Sequence, residues 1–205
     1  MRIHGNKGIK ANSMNFHGTT ILAVRHGGTV TVAGDGQVTL NSTVIKHKAR
    51  KVRRIYNDKI IVGFAGATAD ALTLSEKLEG KLDRYNGNLT RAAVELARDW
   101  RTDKFLRRLE AMMIAVDAGQ MLLISGNGDV IEPDDPVISI GSGSVAAHAA
   151  AIALVAHADV LGLSAGEVVK QAMRIASGLC VYTNTEFSVE EISAEPKTLN
   201  SQPVE

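Results

Sequence analysis

Between residues 20 and 65 the hydrophobic positions fall in short β-branched runs, and from Thr68 onward the spacing changes to that of helices. Thr20 to Arg25 and Thr29 to Ala33 are joined by His26-Gly27-Gly28, a spacing that predicts a hairpin. The second run ends in the turn Gly34-Asp35-Gly36, and a tract with many Thr and Asn residues reads as a loop. Lys51 to Tyr56 and Lys59 to Phe64 flank Asn57-Asp58 and predict a second hairpin. Then Ala71, Leu74, Leu78 and Leu82 fall on one helical face until Asn86-Gly87-Asn88 breaks it, and Ala93, Leu96, Ala97 and Trp100 line the next helix. Met112 to Val116, Met121 to Ser125 and Val137 to Ile140 read as strands separated by turns. Gly141-Ser142-Gly143-Ser144 opens an alanine-rich helix to about His157. Ser164-Ala165-Gly166-Glu167 is a capping box for a helix to about Gly178, and Phe187 to Ile192 supplies a last strand.

Strands, two helices, strands, two helices and a strand, without βαβ alternation, predict an α+β fold. If two sheets stack, the result is a four-layer αββα sandwich. The expected domain runs over residues 19–193, preceded by a leader at 1–18 and followed by a polar tail at 194–205 that holds two prolines.

The 205 residues suit one domain, and 45% hydrophobic with 22% charged residues is ordinary globular usage. A net charge of +1 exerts no global pull on nucleic acid or acidic membrane. Cys180 is the sole cysteine, so no internal disulfide forms, and no Cys/His pair has zinc spacing. Met1 to Gly18 lacks the apolar stretch of a secretory signal, and Val145 to Ala158 is interrupted by His148 and His157. A soluble, cytoplasmic protein is expected.

Familiar nucleophile motifs are absent: there is no Gly-x-Ser-x-Gly, no His-Glu-x-x-His and no Gly-x-x-x-x-Gly-Lys phosphate loop. What remains is the junction His17-Gly18-Thr19-Thr20-Ile21, where a polar leader meets the first strand. Cleavage of the Gly18–Thr19 bond would give Thr19 a free amine beside its hydroxyl. An N-terminal amine is one base able to activate a threonine. Its pKa of about 7.7–8.0 leaves an appreciable neutral fraction near pH 7, which lysine at about 10.4 lacks. A cation would lower that pKa further, and Lys46 to Arg54 holds six cations in nine residues.

The motifs Thr19-Thr20-Ile21-Leu22-Ala23-Val24-Arg25, Ala33-Gly34-Asp35-Gly36-Gln37, Lys51-Val52-Arg53-Arg54, Gly63-Phe64-Ala65-Gly66, Asp99-Trp100-Arg101-Thr102-Asp103, Ile140-Gly141-Ser142-Gly143 and Tyr182-Thr183-Asn184 follow one another along the chain. From about Thr19 to Ile192 the chain resembles the HslV family of bacterial ATP-dependent protease subunits, simple relatives of the proteasome β subunit. The resemblance implies a threonine-type endopeptidase in which Thr19 is the nucleophile and its own amine the base. It further implies Lys51 as the adjacent cation, Asp35 as the carboxylate that orients it, and Ser142 as a positioner of the terminus. The backbone N–H of Gly63 would stabilise the oxyanion. It implies a sodium ion held by the backbone carbonyls of Ser177, Cys180 and Thr183, where the family commonly has glycine at the first position. The implied assembly is two stacked hexameric rings working with a hexameric AAA+ unfoldase ATPase of the HslU type on protein substrates. No ATP is expected on this chain. The long leader departs from the family, where often only a Met precedes the threonine pair; Met14 offers an internal start.

Taken singly, the same residues have plainer readings. Thr19 fits an ordinary strand, Asp35 a turn, and the basic run a solvated face or a nucleic-acid patch. No aromatic lies between Lys46 and Arg54, which gives stacking on bases no support. A non-catalytic assembly subunit with its leader retained and an amidase of the same mechanistic class remain alternatives at this point.

Overall fold

The computed structural model describes residues 16–66, 68–109 and 111–193. Its elements are β1 (Phe16–His17), β2 (Thr20–His26), β3 (Thr29–Asp35), β4 (Val38–Leu40), β5 (Thr43–Lys46), β6 (Val52–Ile55), β7 (Ile60–Ala65), α1 (Thr68–Arg84) and α2 (Leu89–Thr102). There follow β8 (Met112–Val116), β9 (Met121–Ser125), β10 (Val130–Ile131), β11 (Val137–Gly141), α3 (Ser144–Val155), α4 (Ala158–Leu161), α5 (Ala165–Leu179) and β12 (Phe187–Ser193).

Strand alternation builds the layers. Because successive side chains of a strand point to opposite faces, a strand with both parities apolar is covered on both sides. In β7, Ile60, Val62 and Phe64 pack with Leu74, Leu78 and Leu82 of α1 and with Leu96 and Trp100 of α2. Its other parity, Ile61 and Ala65, faces Ile21, Ala23, Val30 and Val32. In β2 the assignment mirrors this: Ile21 and Ala23 face the sheet of β7, while Leu22 and Val24 pack with Val168, Val169, Ala172 and Met173 of α5. The result is the four-layer αββα sandwich. A five-stranded antiparallel sheet ordered β10-β9-β8-β7-β6 stacks on a four-stranded sheet ordered β11-β2-β3-β12. The helices α1 and α2 cover the first sheet, α3 and α5 the second.

The Thr- and Asn-rich tract read as a loop forms a hairpin instead. β4 pairs with β5 around Asn41, which takes φ of 55°, and the pair is joined by β1 in a separate three-stranded sheet. Val38-Thr39-Leu40 and Thr43-Val44-Ile45 are the β-branched signal that the polar intervening residues masked. The alanine-rich helix ends at Val155, before His157, and a further turn, α4, closes on Gly162 in the left-handed region. Residues 194–205, expected as a tail, and residues 1–15 of the expected leader lie outside the described residues.

Candidate active site

Thr19 stands at the entrance of β2, between the two sheets, 9% exposed. Its carbonyl is gripped by Ser142, whose backbone N–H donates to Thr19 O at 2.8 Å and whose hydroxyl donates to the same atom at 3.2 Å. That approach requires glycine at 141: its φ is 96°, and a Cβ there would overlap the Thr19 carbonyl. The next residue is held equally closely. Thr20 N–H donates to Asp35 Oδ1 at 2.7 Å, and Thr20 Oγ1 accepts from Gly143 N at 2.9 Å while sharing a 2.7 Å hydroxyl bond with Thr183.

Asp35 ends β3 fully buried, and its carboxylate is surrounded by donors: Thr20 N–H, Gln37 N–H at 2.9 Å and the Lys51 ammonium at 2.9 Å. Lys51 immediately precedes β6 with its side chain 9% exposed. All three of its protons are used, on Asp35 Oδ1, on Gly18 O at 2.6 Å and on Gln37 O at 2.6 Å. Burial lowers the Lys51 pKa below its ordinary 10.5, with the charge of Asp35 and its hydrogen bond acting in the opposite direction.

At the Gly18–Thr19 bond, Thr19 Oγ1 donates to the Gly18 carbonyl oxygen at 2.7 Å, and Lys51 Nζ donates to the same oxygen. Gly18 takes φ of 110°, and the residues before it run as β1 antiparallel to β4, Phe16 opposite Leu40 and His17 opposite Thr39. The chain thus approaches Thr19 as an added strand. An ammonium and a hydroxyl converging on one carbonyl polarise it toward nucleophilic attack.

The structure brings Thr19, Asp35, Lys51 and Ser142 together. Gly63 is held within the sheet. It lies inside β7, paired with Val52 on one side and Ile114 on the other. Phe64 N–H donates to Lys51 O, so by the alternation of an antiparallel ladder the Gly63 N–H points the other way, into β8. Gly63 is glycine for packing, since a Cβ there would stand 2.6 Å from Ile21 Cγ2. Gly66, one residue beyond β7, leaves the strand with φ of 142°.

Cys180 caps the C-terminus of α5, and Thr183 N–H donates to Cys180 O at 3.1 Å. Ser177 sits in the last turn of the helix with its hydroxyl returned to Arg174 O, and its φ is not positive, so the serine sits without strain. Sequence reasoning missed the supporting polar groups. Asn184 accepts Gly36 N–H at 3.1 Å and donates to His47 O at 2.9 Å, and buried Gln37 donates through Nε2 to Val181 O at 2.9 Å and Thr39 Oγ1 at 3.0 Å. Gln37 and Asn184 stand in the motifs Ala33-Gly34-Asp35-Gly36-Gln37 and Tyr182-Thr183-Asn184, but their partners cannot be read there.

The proteasome subunit family model matches residues 15–192. The ATP-dependent protease subunit HslV of Aquifex aeolicus (strain VF5) is 59% identical over 179 residues, 87% of this chain and all of that protein. The subunit of the same name from Syntrophobacter fumaroxidans is 57% identical over 176 residues, 86% of this chain and 97% of that protein. The crystal structure of eukaryotic HslV from Trypanosoma brucei superposes with a TM-score of 0.81 at 50% identity, covering 85% of this chain and 99% of that one. With a threonine at the head of a strand between two stacked sheets, and with likeness of this extent in sequence and in fold, the chain belongs to the proteasome subunit family.

Proposed function

We propose that this chain is the proteolytic subunit of an ATP-dependent protease, a threonine endopeptidase that acts on polypeptides unfolded by a partner ATPase. The observation that carries the reading is the convergence of Thr19 Oγ1 and Lys51 Nζ on the Gly18 carbonyl oxygen. Attack of Oγ1 on the Gly18 carbonyl carbon forms a C–O bond. The Lys51 ammonium stabilises the oxygen as it becomes negative, and the hydroxyl proton passes to the departing amide nitrogen. The Gly18–Thr19 C–N bond breaks, and water hydrolyses the ester, releasing the leader and leaving Thr19 with a free amine.

In the cleaved protein that amine accepts the Oγ1 proton when a substrate carbonyl takes the place of Gly18. An acyl-enzyme ester on Thr19 forms and is hydrolysed, restoring the terminus. Asp35 holds Lys51 and the Thr20 N–H in place. Ser142 fixes the Thr19 carbonyl through its hydroxyl and its backbone N–H. The β4 edge that β1 occupies is free to take the substrate main chain.

A sodium ion would be held by the carbonyls of Ser177, Cys180 and Thr183: oxygen donors suit a hard cation, and the last carbonyls of a helix lack intrahelical donors. Such an ion would hold the turn that brings Thr183 to Thr20. Sequestration in stacked rings, gating by an AAA+ ATPase and a cytoplasmic location complete the reading; the relatives' name, ATP-dependent protease subunit, supports the dependence on ATP. Among the described residues no helix is long and apolar enough to cross a membrane.

Thr19→Ala tests the proposal. The variant should fold and assemble, retain the Gly18–Thr19 bond by intact mass, and show no peptide cleavage. Turnover by this variant, or active wild-type particles with the leader still attached, would overturn the reading.

A further inference from the structure

We propose that Gln37 is a positioning residue for Lys51: its side-chain amide ties the turn after β3 to the turn after α5, and this fixes its own main-chain carbonyl on the Lys51 ammonium. The inference rests on the roles given above to Lys51 and Thr19.

Gln37 is 6% exposed, an unusual place for an amide side chain. Both of its main-chain polar groups serve the buried ion pair: the N–H donates to Asp35 Oδ2 and the carbonyl accepts from Lys51 Nζ. Its side chain is spent elsewhere, on Val181 O and Thr39 Oγ1. Val181 lies between Cys180 and Thr183, and Thr183 is bonded to Thr20 beside the nucleophile. One residue thus closes a ring running from the Lys51 ammonium through the 35–37 turn to the 180–183 turn and back to the start of β2. Without the Nε2 donor, the Val181 carbonyl loses its partner and the 35–37 turn loses its tie to the α5 end. The carbonyl that takes one of the three Lys51 protons is then free to drift. Placement errors of about 1 Å at a reacting centre cost on the order of a hundredfold in rate, so a small drift is measurable.

The test uses the assembled protein with its partner ATPase on a fluorogenic peptide, comparing wild type, Gln37→Leu, Gln37→Glu and Lys51→Met. Gln37→Leu should lower kcat by tenfold or more with KM unchanged. The alkaline limb of its pH–rate profile should move to lower pH, because the ammonium, faced by Asp35 and the Thr19 amine, has lost an acceptor. Gln37→Glu lacks the donor when ionised and regains one when protonated. Its activity relative to wild type should therefore rise as the pH is lowered, a response a purely structural role would not give, and one that remains readable if the leucine variant fails to assemble. Wild-type kcat and pH profile in Gln37→Leu, a loss confined to KM, or a pH-independent ratio in Gln37→Glu would overturn the inference. Wild-type cleavage by Lys51→Met would instead sink the functional reading itself, which keeps the two failures apart.

Discussion

Lys51 is the residue at which burial and charge oppose each other most directly. Desolvation depresses its pKa from 10.5, while the charge of Asp35 and the hydrogen bond it accepts raise it, and desolvation prevails. A group whose folded pKa is lowered binds fewer protons folded than unfolded between the two values. Its cost to stability is therefore full below the folded pKa, and it is relieved as the pH climbs from that lowered value toward 10.5. Denaturant unfolding of the uncleaved Thr19→Ala chain, with and without Lys51→Met, checks this. The stability difference should move in favour of the lysine form across that window, and a flat difference would contradict the sign. At this scale Thr19, Asp35 and Lys51 were legible because each sits in a short recurrent motif. The contacts made by Gln37, Thr20 and Thr183, which stand in the same motifs, were not: Gln37 meets Val181 across 144 positions and Thr20 meets Thr183 across 163. No local pattern encodes a hydrogen bond of that span.

Among the elements, α5 does two jobs with different ends. Its N-terminus is closed by the Ser164–Glu167 capping box, which the spacing Ser-x-x-Glu announced, and its apolar stripe covers β2 and β3. Its C-terminus is the less legible half. The last carbonyls of a helix lack intrahelical donors and carry its negative end. Ala176 O takes the Cys180 N–H, and Cys180 O takes that of Thr183, which leaves a lone pair on the latter and the Ser177 carbonyl available. The proposed sodium ion would be held there. Exchange of sodium for choline is therefore expected to lower the thermal midpoint of the assembled protein, and titration of the exchanged protein should broaden the sodium-23 resonance until the site fills. An unchanged midpoint and an unbroadened line would remove the ion from the account. The β4–β5 hairpin shows the opposite failure of legibility. Its strands are short, and β5 is exposed throughout, so neither hydrophobic period nor length marked it. Its order is a property of the three-stranded sheet that β1 completes.

For the molecule as a whole, the element order was readable and gave four layers on the condition that two sheets stack; the double-sided burial of β2 and β7 meets that condition. How copies of the chain meet was not readable, because the apolar residues left on the surface are dispersed: Phe105, Val145, Val160 and Val181 are each more than four-fifths exposed, yet lie on different segments. The division of labour with an ATPase can be argued from the sequence itself. An endopeptidase must receive its substrate as an extended strand, since the place beside β4 admits main chain in the register that Phe16 and His17 show. A folded protein does not present such a strand, and unfolding it costs about 5–15 kcal/mol. This chain carries no Gly-x-x-x-x-Gly-Lys loop with which to draw that energy from ATP. Cleavage of a short unstructured peptide by the subunit alone should therefore proceed, slowly, without nucleotide. Degradation of a stably folded protein should require both the partner ATPase and hydrolysable ATP, with Thr19→Ala abolishing both activities. Nucleotide-independent degradation of the folded substrate by the subunit alone would show that the unfolding step resides in this chain after all.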